Sequence, residues 1–389
     1  TKEAEMLFQA LDYKQYCRLF YMDGELYSRF IPFKMTKTWQ YSGHLEGQNV
    51  EYASLYCNGK SPDDMCPEHL QDKWIKLRKK KMAYMKSLKT ARVDIDDVCI
   101  YELLPERFLK EYCETKNQIT QHVIDTCPRP TNYNFYKELT EVLLDISRNP
   151  LYINDDSYNN TNIKYNIFGT RTGRLTTLKN SFPILTLKKE DRVIIEPDNK
   201  YFLELDYNSA ELRVMYALQQ MWKNEAIVQP QEDMHQWNIK NIFPEMSRDE
   251  AKKAIFAWLY NPSSKNPLAE QFYNRKIALK MSNWDGSSIK NHFGRKIDVD
   301  ERRAVNYLLQ STLSDLFLRK KIKIFKMLKG RASRVAFSVH DSLVLDMSLE
   351  DTEIVQHLVE EFANTPFGKF KVNVNVGDNY GNLRKARGF

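Results

Sequence analysis

The sequence lacks the features of membrane-spanning, secreted and zinc-finger proteins. No apolar run approaches the roughly 18 residues of a membrane-spanning helix. The N-terminal TKEAEMLFQALDYKQY has no apolar signal core, although residue 1 need not be the native start. The six cysteines lie in the first third of the chain, without a CxxC pair or a histidine at zinc-finger spacing. These absences argue against membrane attachment and structural zinc, and they favour free thiols in a reduced intracellular compartment.

Internal repeats, low-complexity tracts and a large charge excess are also absent. The 58 Lys and Arg residues against 51 Asp and Glu residues give a net charge of +7, which permits a polyanionic partner without requiring one. Hydrophobic residues make up 42% of the 389 residues, so the chain can bury a core in two or three packed subdomains and is not disordered.

Residues 1–75 show no sustained period, and three helices are predicted from Pro67 onwards. PEHLQDKWIKLRKKKMAYMKSLKTA, from Pro67, has apolar residues at helical spacing with Lys and Arg between them. A second helix begins at Pro105, and a third covers about residues 134–148. Their basic edge either grips a phosphate backbone or forms the solvated face of a bundle, and the pattern alone leaves both interpretations open.

Strand and turn signals follow a polar loop over residues 154–162. Apolar strand-like runs flank the PDNK turn, and RVAFSVHDSLVLDM predicts a hairpin that turns at His-Asp-Ser. Helices are predicted over SAELRVMYALQQMW, residues 247–260 and residues 301–328, and Ser247 with Glu250 forms a capping-box pattern. A helix over about residues 350–364 and the strand KVNVNV complete the pattern.

Two aspartates lie at the edges of apolar strands. Asp206 ends FLELD, and Asp341 follows SVH. Carboxylates that converge from separate strands can hold two divalent cations about 4 Å apart, as phosphoryl transfer requires. An aspartate at the end of a strand is also a common turn residue, so this pattern is a hypothesis that needs the other motifs.

A stripe of cations and aromatics runs along the helix over residues 247–260. Arg248, Lys252, Phe256 and Tyr260 recur every four residues and share one face. Cations at a helix N-terminus oppose the helix dipole unless an anion binds there. A triphosphate next to a nucleobase would suit this order of side chains. The alternative is that the aromatics are core residues and the cations are solvated.

Two further polar patterns suit nucleic-acid recognition. In RTGRLTT, Arg174 follows a glycine and is flanked by hydroxyl groups. In ERRAVNYLLQ, Arg302, Asn306 and Gln310 recur every four residues on a largely apolar helix, where their side chains can bond base edges and sugars. A common turn and a buried polar network are the competing interpretations.

These motifs occur in a definite order: TGRLTT, DYNSAELR, RDEAKKAIFAWLY, RRAVNYLLQSTLSD and VHDSLVLD. The sequence resembles the polymerase region of family A DNA polymerases, the group of bacterial DNA polymerase I and many bacteriophage enzymes. The resemblance covers residues 165–346, and KVNVNVGDNYGN resembles the C-terminus of the family. It implies an α+β, right-hand polymerase fold with a helical thumb, an antiparallel-sheet palm and helical fingers.

The resemblance also divides the chain. It implies an N-terminal segment of unclear role (residues 1–66), a thumb (67–155), a first palm part (156–234), fingers (235–300) and a second palm part (301–389). No segment before the thumb shows the FDxET-like pattern of a proofreading nuclease. We therefore expect no intrinsic 3′→5′ exonuclease: either a separate subunit supplies proofreading or the chain is a fragment of a longer protein. The expected partners are primer-template DNA and dNTPs, with a separate exonuclease or processivity subunit as a further one.

Site roles follow from the resemblance residue by residue. The catalytic set would be Asp206, Asp341 and Lys252, with the two aspartates binding two Mg²⁺ ions, for which Mn²⁺ can substitute. Glu211 would exclude a 2′-hydroxyl from the sugar site. The other nucleotide-binding residues would be Arg248, Lys252, Phe256, Tyr260 and His235. Contacts to DNA would come from Arg174, Arg302, Asn306, Gln310 and His340.

One departure from the family pattern concerns the metal site. Ser342 stands where the family usually has Glu after His-Asp, so a three-carboxylate site is in doubt. His-Asp-Ser also fits a single-subunit RNA polymerase, and an inactive DNA-binding replisome subunit is the alternative from another class. The compact size resembles bacteriophage enzymes, which implies a bacterial host cytoplasm, with an organelle as the alternative.

Overall fold

The computed structural model describes residues 6–11, 17–28, 35–95 and 98–386. The chain divides into two compact units, Thr1–Glu141 and Val142–Phe389. Helices and sheets are mixed in both, which agrees with the predicted α+β class. In the described ranges, no helix combines the length and the apolar character needed to cross a membrane.

The N-terminal unit is built on a five-stranded sheet of order β3-β2-β1-β4-β5. Its strands β1 to β5 are Met6–Ala10, Leu19–Met22, Glu25–Ser28, Met35–Thr38 and Glu51–Tyr52. The first three strands pair antiparallel, whereas β4 pairs parallel to β1 and β5 parallel to β4. Its helices α1 to α4 are Ala53–Tyr56, Glu68–Thr90, Glu106–Thr126 and Tyr133–Arg148.

The three helices predicted after residue 67 are confirmed as α2, α3 and α4. Pro67 and Pro105 are the N-caps of α2 and α3. Both helices pack in one core with the sheet, where Leu11, Leu77 and Phe108 are buried together. The compact units divide within α4, and the predicted boundaries at residues 66 and 155 stay predictions.

The cysteines depart from the expectation of free thiols. Cys17 and Cys99 form a disulfide with Cα atoms 5.3 Å apart, although 82 positions separate them in sequence. The other cysteines, Cys57, Cys66, Cys113 and Cys127, are free. The expectation was wrong for this pair because Cys17, just before β2, and Cys99, in the segment after α2, meet only in the folded unit, and no local spacing reveals that.

The C-terminal unit contains the strands that carry the candidate site. Strands β6 to β18 are Tyr152–Ile153, Tyr165–Asn166, Thr176–Thr177, Ile195–Glu196, Tyr201–Tyr207, Ser288–Lys290, Lys296–Asp298, Arg334–Val339, Ser342–Met347, Asn364–Thr365, Gly368–Lys369, Val372–Gly377 and Arg384–Lys385. Helices α5 to α11 are Ala210–Trp222, Met234–Asn241, Arg248–Tyr260, Pro267–Phe272, Arg275–Met281, Glu301–Leu328 and Val355–Ala363. Short 3-10 helices cover Gly43–Leu45, Ile100–Leu103, Lys189–Ile194 and Leu349–Ile354 across the two units.

The main sheet of this unit is antiparallel, with strand order β13-β14-β10-β17-β18. The predicted hairpin at His-Asp-Ser is confirmed as β13 and β14, and β10 lies between β14 and β17. One face of the sheet is buried against the long helix α10 and against α11. The predicted helices over residues 247–260 and 301–328 are confirmed as α7 and α10, and the capping box of Ser247 and Glu250 is present.

Candidate active site

Strand β10 presents two carboxylates on one face of the sheet. Its apolar residues are buried, while Glu204 and Asp206, two positions apart, are partly exposed. Asp206 lies opposite Ser342 of β14 and Asn373 of β17. Asn373 Nδ2 donates to Asp206 Oδ2 at 3.2 Å, which orients the carboxylate at the end of the strand.

Asp341 lies in the two-residue turn of the neighbouring hairpin. The preceding residue, His340, has a φ of 52°, a region that non-glycine residues rarely adopt and that occurs at functional sites. Arg174 Nη2 lies 3.7 Å from Asp341 Oδ2. The structure therefore brings together three predicted site residues: Asp206 on β10, Asp341 in the turn that leads into the adjacent strand β14, and Arg174 beside Asp341.

The carboxylates on this face repel one another. Burial raises the pKa of Asp206 to about 6, and the charges of Glu204 and Asp341 add to the increase, although the Asn373 hydrogen bond lowers it. Such a concentration of oxygen donors suits a hard divalent cation. In the described residues, no three His, Cys, Asp or Glu side chains are arranged to hold a metal ion together, so substrate oxygens would have to complete the coordination of a metal here.

Ser342, in place of the family's usual Glu, bonds to an acid that the sequence analysis missed. Its hydroxyl donates to Glu204 Oε1 at 2.7 Å, and Asn375 Nδ2 donates to Glu204 Oε2 at 2.8 Å. Glu204 thus connects β10 to both of its neighbours, β14 and β17, two residues before Asp206 on the same face of the sheet. The signal was the two acids at alternate positions of FLELD, but only the strand register shows what Glu204 contacts.

Glu211 and Tyr260 meet beside the aspartates. Glu211 lies in the first turn of α5, after Ser209 with a φ of 54°. Burial raises the pKa of Glu211, the charge of Asp341 adds to this, and Tyr260 and Arg174 oppose it. Burial and the nearby Glu211 carboxylate raise the pKa of Tyr260. The Tyr260 hydroxyl is buried without a hydrogen bond of normal geometry to any described residue.

The cationic end of α7 is held by the acid that caps the preceding helix, α6. Arg248 donates to both carboxylate oxygens of Asp233, with Nη2 at 2.9 Å and Nε at 3.3 Å. Asp233 also accepts from Asn208 at 2.8 Å and caps α6. Burial alone would raise the pKa of Asp233, but these hydrogen bonds lower it well below its usual range. Lys252, one turn beyond Arg248, is exposed.

His235 connects the two parts of the site. It is 3% exposed, and its Nε2 lies 3.1 Å from Ser209 Oγ. Its ring packs edge-on against Phe256, which stacks with Tyr260 at a centroid distance of 6.0 Å. Burial lowers the pKa of His235 to about 4, so the imidazole is neutral near pH 7. The predicted stripe on α7 is therefore continuous with the carboxylate face.

The polar stripe on α10 is only partly connected. Gln310 Nε2 donates to Asn306 Oδ1 at 2.5 Å, so these two predicted residues are together. Arg302 is exposed and forms no hydrogen bond or ion pair with another site residue within the described ranges. His340 is exposed and lines a small cavity with Arg174 and Asp341.

Two arginines that the sequence motifs did not indicate hold in place the segments that carry site residues. Arg213 is fully buried and donates to the carbonyls of Asn208, Pro230 and Glu232 at 2.7–3.0 Å. It thereby fixes the segment between β10 and α6. An arginine on an otherwise apolar helix face of DYNSAELR was the available signal.

The second supporting arginine lies under the turn that carries Arg174. Arg295 makes a two-point ion pair with Asp315, with Nε at 3.0 Å and Nη2 at 2.6 Å. Asp315 is 1% exposed and also accepts from Asn291 at 2.8 Å. The guanidinium packs against Gly173, whose φ is +81°. Nothing in the sequence pattern indicated this contact.

Comparison with known proteins gives a family for this geometry. The model of the family described as DNA polymerase family A matches residues 264–382, which include α10 and the Asp341 hairpin. Residues 264–382 are therefore similar to family A DNA polymerases. The family-matched residues include Arg302, Asn306, Gln310, His340 and Asp341, whereas the other predicted site residues precede residue 264.

Individual relatives extend the similarity beyond residues 264–382. The chain is 28% identical over 313 residues to the DNA polymerase of Bacillus phage SP01, covering 62% of this chain and 34% of that protein. It is 21% identical over 364 residues to DNA polymerase I of Caldicellulosiruptor bescii, covering 81% and 39%. The matched region thus spans little more than a third of the length of these relatives.

Among solved structures, the chain is similar to the polymerase domain of Pol1 from M. smegmatis, in complex with DNA primer-template and dNTP. The TM-score is 0.45 at 16% sequence identity, and the match covers 69% of this chain and 54% of that one.

Proposed function

We propose that this chain is a template-directed DNA polymerase that adds deoxynucleotides to a primer 3′-hydroxyl. The observation that carries the proposal is one continuous surface on which the Asp206 and Asp341 carboxylates adjoin Glu211, Tyr260 and the cationic face of α7. In-line attack of the 3′-hydroxyl on the α-phosphorus needs alignment and charge neutralisation more than covalent chemistry. The proposal includes the right-hand arrangement of thumb, palm and fingers.

Asp206 and Asp341 are the residues that would hold two divalent cations, Mg²⁺ or Mn²⁺. The donor set fits such ions, because the pKa of Asp206 is raised to about 6 by burial and by neighbouring acids that a cation would neutralise. When bound, the cations would supply charge stabilisation to the attacking and leaving oxygens. Magnesium typically uses a few carboxylates together with substrate phosphates, so two aspartates are sufficient.

The chain's own side chains would bind and orient the nucleotide. Arg248, preset by Asp233, and the exposed Lys252 would bind the triphosphate. The stacked rings of Phe256 and Tyr260 would flank the new base pair. Glu211 would pack under the sugar and leave no room for a 2′-hydroxyl. The buried His235 would keep Phe256 in position, with help to the triphosphate as its further proposed role.

DNA contacts and the third acid complete the proposal. Arg174, Arg302, Asn306, Gln310 and His340 would contact the primer-template. Glu204 would provide the negative charge that Ser342 cannot, since the two side chains are hydrogen-bonded beside Asp206. We therefore expect Glu204→Gln, which preserves side-chain size, to raise the Mg²⁺ concentration for half-maximal activity several-fold. An unchanged Mg²⁺ requirement would remove Glu204 from the proposal.

Primer extension on a primed template tests the function. Reactions with Mg²⁺ and either dNTPs or rNTPs are compared for the wild-type chain, Asp206→Asn and Glu211→Ala. Asp191→Asn is the matched control, because Asp191 is an exposed acid of the same unit. We expect extension with dNTPs, loss of at least 100-fold in Asp206→Asn with primer-template binding retained, and relaxed sugar selection in Glu211→Ala.

Three other outcomes would change the conclusion. Extension that favours rNTPs would support an RNA polymerase. Primer-template binding without extension, and without nucleotide-coupled metal binding, would indicate an inactive DNA-binding subunit. Degradation of the primer from its 3′ end, retained in Asp206→Asn, would contradict the proposed lack of exonuclease activity.

A further inference from the structure

The N-terminal unit contains a cavity of about 290 Å³. It lies beside the end of β1 and the residues that follow β4, and side chains of α2 and α3 form its other walls. All of its lining residues belong to this unit. The volume is near the lower end of the range for small-molecule sites, which is enough for one nucleotide.

The walls carry more positive than negative charge. Lys81, Lys116 and Arg78 line the cavity together with a single acid, Asp63. That acid is already engaged, because its carboxylate pairs with Arg78 at 3.0 Å and accepts from Trp74 Nε1 at 2.6 Å. Two lysines therefore remain without a carboxylate partner in the described part of the chain.

The environments of the two lysines point to an anion. Lys81 Nζ donates to the hydroxyls of Tyr101 at 2.8 Å and Tyr112 at 3.5 Å, so its charge is solvated but not neutralised. Lys116 Nζ forms no hydrogen bond or ion pair with a described residue, and only the backbone carbonyl of Lys116 accepts a side-chain hydrogen bond, from Thr120 Oγ1 at 2.7 Å. Burial lowers the pKa of Lys116 to about 8, and repulsion from Lys81 contributes to the decrease. An anion between the two would neutralise both charges and offset the desolvation of the Lys116 ammonium.

Aromatic and amide groups occupy the remaining wall. The rings of Trp74 and Tyr112 stack with centroids 5.0 Å apart, and Trp39 also lines the cavity. The Gln40 amide, at the end of the segment after β4, faces the same space and has no hydrogen bond to a described residue. Rings and a free amide suit a planar base with polar edges, which inorganic phosphate alone would not use.

We propose that this cavity binds one nucleotide, with its phosphate between Lys81 and Lys116 and its base against the aromatic wall. A free nucleoside monophosphate and the terminal nucleotide of a single strand present the same chemistry. The inference is independent of the polymerase proposal, because the cavity is built from other residues in the other unit.

Binding to the full chain tests the proposal. Calorimetric titrations with dAMP, dTMP and inorganic phosphate are run in EDTA, which removes the divalent cations on which the polymerase site would depend. Lys116→Met and Lys81→Met are compared with Lys79→Met, an exposed lysine of α2 that does not line the cavity. We expect about tenfold weaker dAMP binding in the first two variants, no change in Lys79→Met, and partial recovery in Lys116→Arg.

A single-stranded oligonucleotide and its circular form distinguish the two sources. Tighter binding of the linear strand than of dAMP and of the circular strand, with loss in Lys116→Met, would assign the site to a strand terminus. Binding of dAMP that depends on Lys116, without such dependence for the linear strand, would assign it to free nucleotides. The proposal is wrong if dAMP does not bind, if phosphate binds as tightly as dAMP, or if Lys79→Met weakens binding as much as Lys116→Met. Thermal unfolding of each variant shows whether it is folded.

Discussion

Substitution of Gly173 by Ala tests how the turn that carries Arg174 is supported. An added Cβ would lie 2.4 Å from Arg295 Nη2 and 2.7 Å from its Cζ, and the backbone φ is +81°. Arg295 cannot move aside freely, because its Nε and Nη2 both bond to the buried Asp315. The substitution therefore forces either the turn or the ion pair to shift.

The two costs can be separated in magnitude. An alanine at positive φ costs roughly 1–2 kcal/mol, and loss of one partner from a buried ion pair costs about 3–5 kcal/mol. Because the pair is displaced and not deleted, the total should be less than the sum of these two costs. We expect Gly173→Ala to lower the free energy of unfolding by about 3–5 kcal/mol. Gly330 is the matched control: its φ is +79°, and an added Cβ meets nothing within 4 Å. Gly330→Ala should cost only the backbone contribution.

Urea unfolding of the two variants measures this difference, and a double-mutant cycle locates its origin. In an Arg295→Ala background the guanidinium is absent, so Gly173→Ala should then cost no more than Gly330→Ala. Primer extension by folded Gly173→Ala should also decrease, because Arg174 would leave its position beside Asp341. Equal costs for Gly173→Ala and Gly330→Ala, or an unchanged cost in the Arg295→Ala background, would refute the argument.

The remaining predictions concern stability. The pKa of Asp206 is raised from 3.8 to about 6 on folding, so its contribution is fully present below pH 3.8 and is lost as the pH rises through 6. In EDTA at pH 8, Asp206→Asn should raise the free energy of unfolding by about 3 kcal/mol, with no gain at pH 3; the absence of a gain at pH 8 contradicts this. Ser247→Ala should cost about 1 kcal/mol by removing the capping box of α7, measured by urea unfolding, whereas Ser247→Asp should retain most of the stability. Arg213→Lys should cost about 3 kcal/mol, because an ammonium cannot make the spread of hydrogen bonds that fixes the segment before α6; a thermal shift within error of wild type would contradict it.

Elements with strong local signals were predictable from the sequence. The α7 helix has a capping box at Ser247, and α10 has Asp300 as its N-cap, whose side chain accepts from the Arg303 amide. The β13–β14 hairpin has continuous apolar strands with a short polar turn. In each case the residues that define the element lie within a few positions of one another, so the pattern alone specifies the structure.

The N-terminal sheet was not predictable in the same way. Its strands are two to five residues long, and β4 pairs parallel to both of its neighbours. Short strands carry little periodicity, and parallel pairs join segments distant in sequence. The pairing of Cys17 with Cys99 has the same cause. The sequence pattern therefore indicated only a stretch without a sustained period and of unclear role.

Site residues that belong to a sequence motif were predictable. Site residues that are defined only by a contact in the folded structure were not. Asp206 and Asp341 occur in motifs, and the structure places Asp206 on β10 and Asp341 in the turn that leads into the neighbouring strand β14. Glu204 joins them only through the register that sets Ser342 of β14 and Asn375 of β17 against its carboxylate. The pairing of Arg295 with Asp315 joins a loop to the middle of a helix. Such contacts depend on the tertiary fold, which no spacing in the sequence encodes.

The polar groups beneath the site and those at its surface differ in one physical respect. Arg213, Asp233 and Asp315 are surrounded by hydrogen-bond partners, so their burial costs little and fixes the segments around them. The His235 Nδ1 at the site is buried without such a partner among the described residues. A fold tolerates unsatisfied groups when a ligand offsets their cost. The saturated network thus holds the segments that carry the site residues in place.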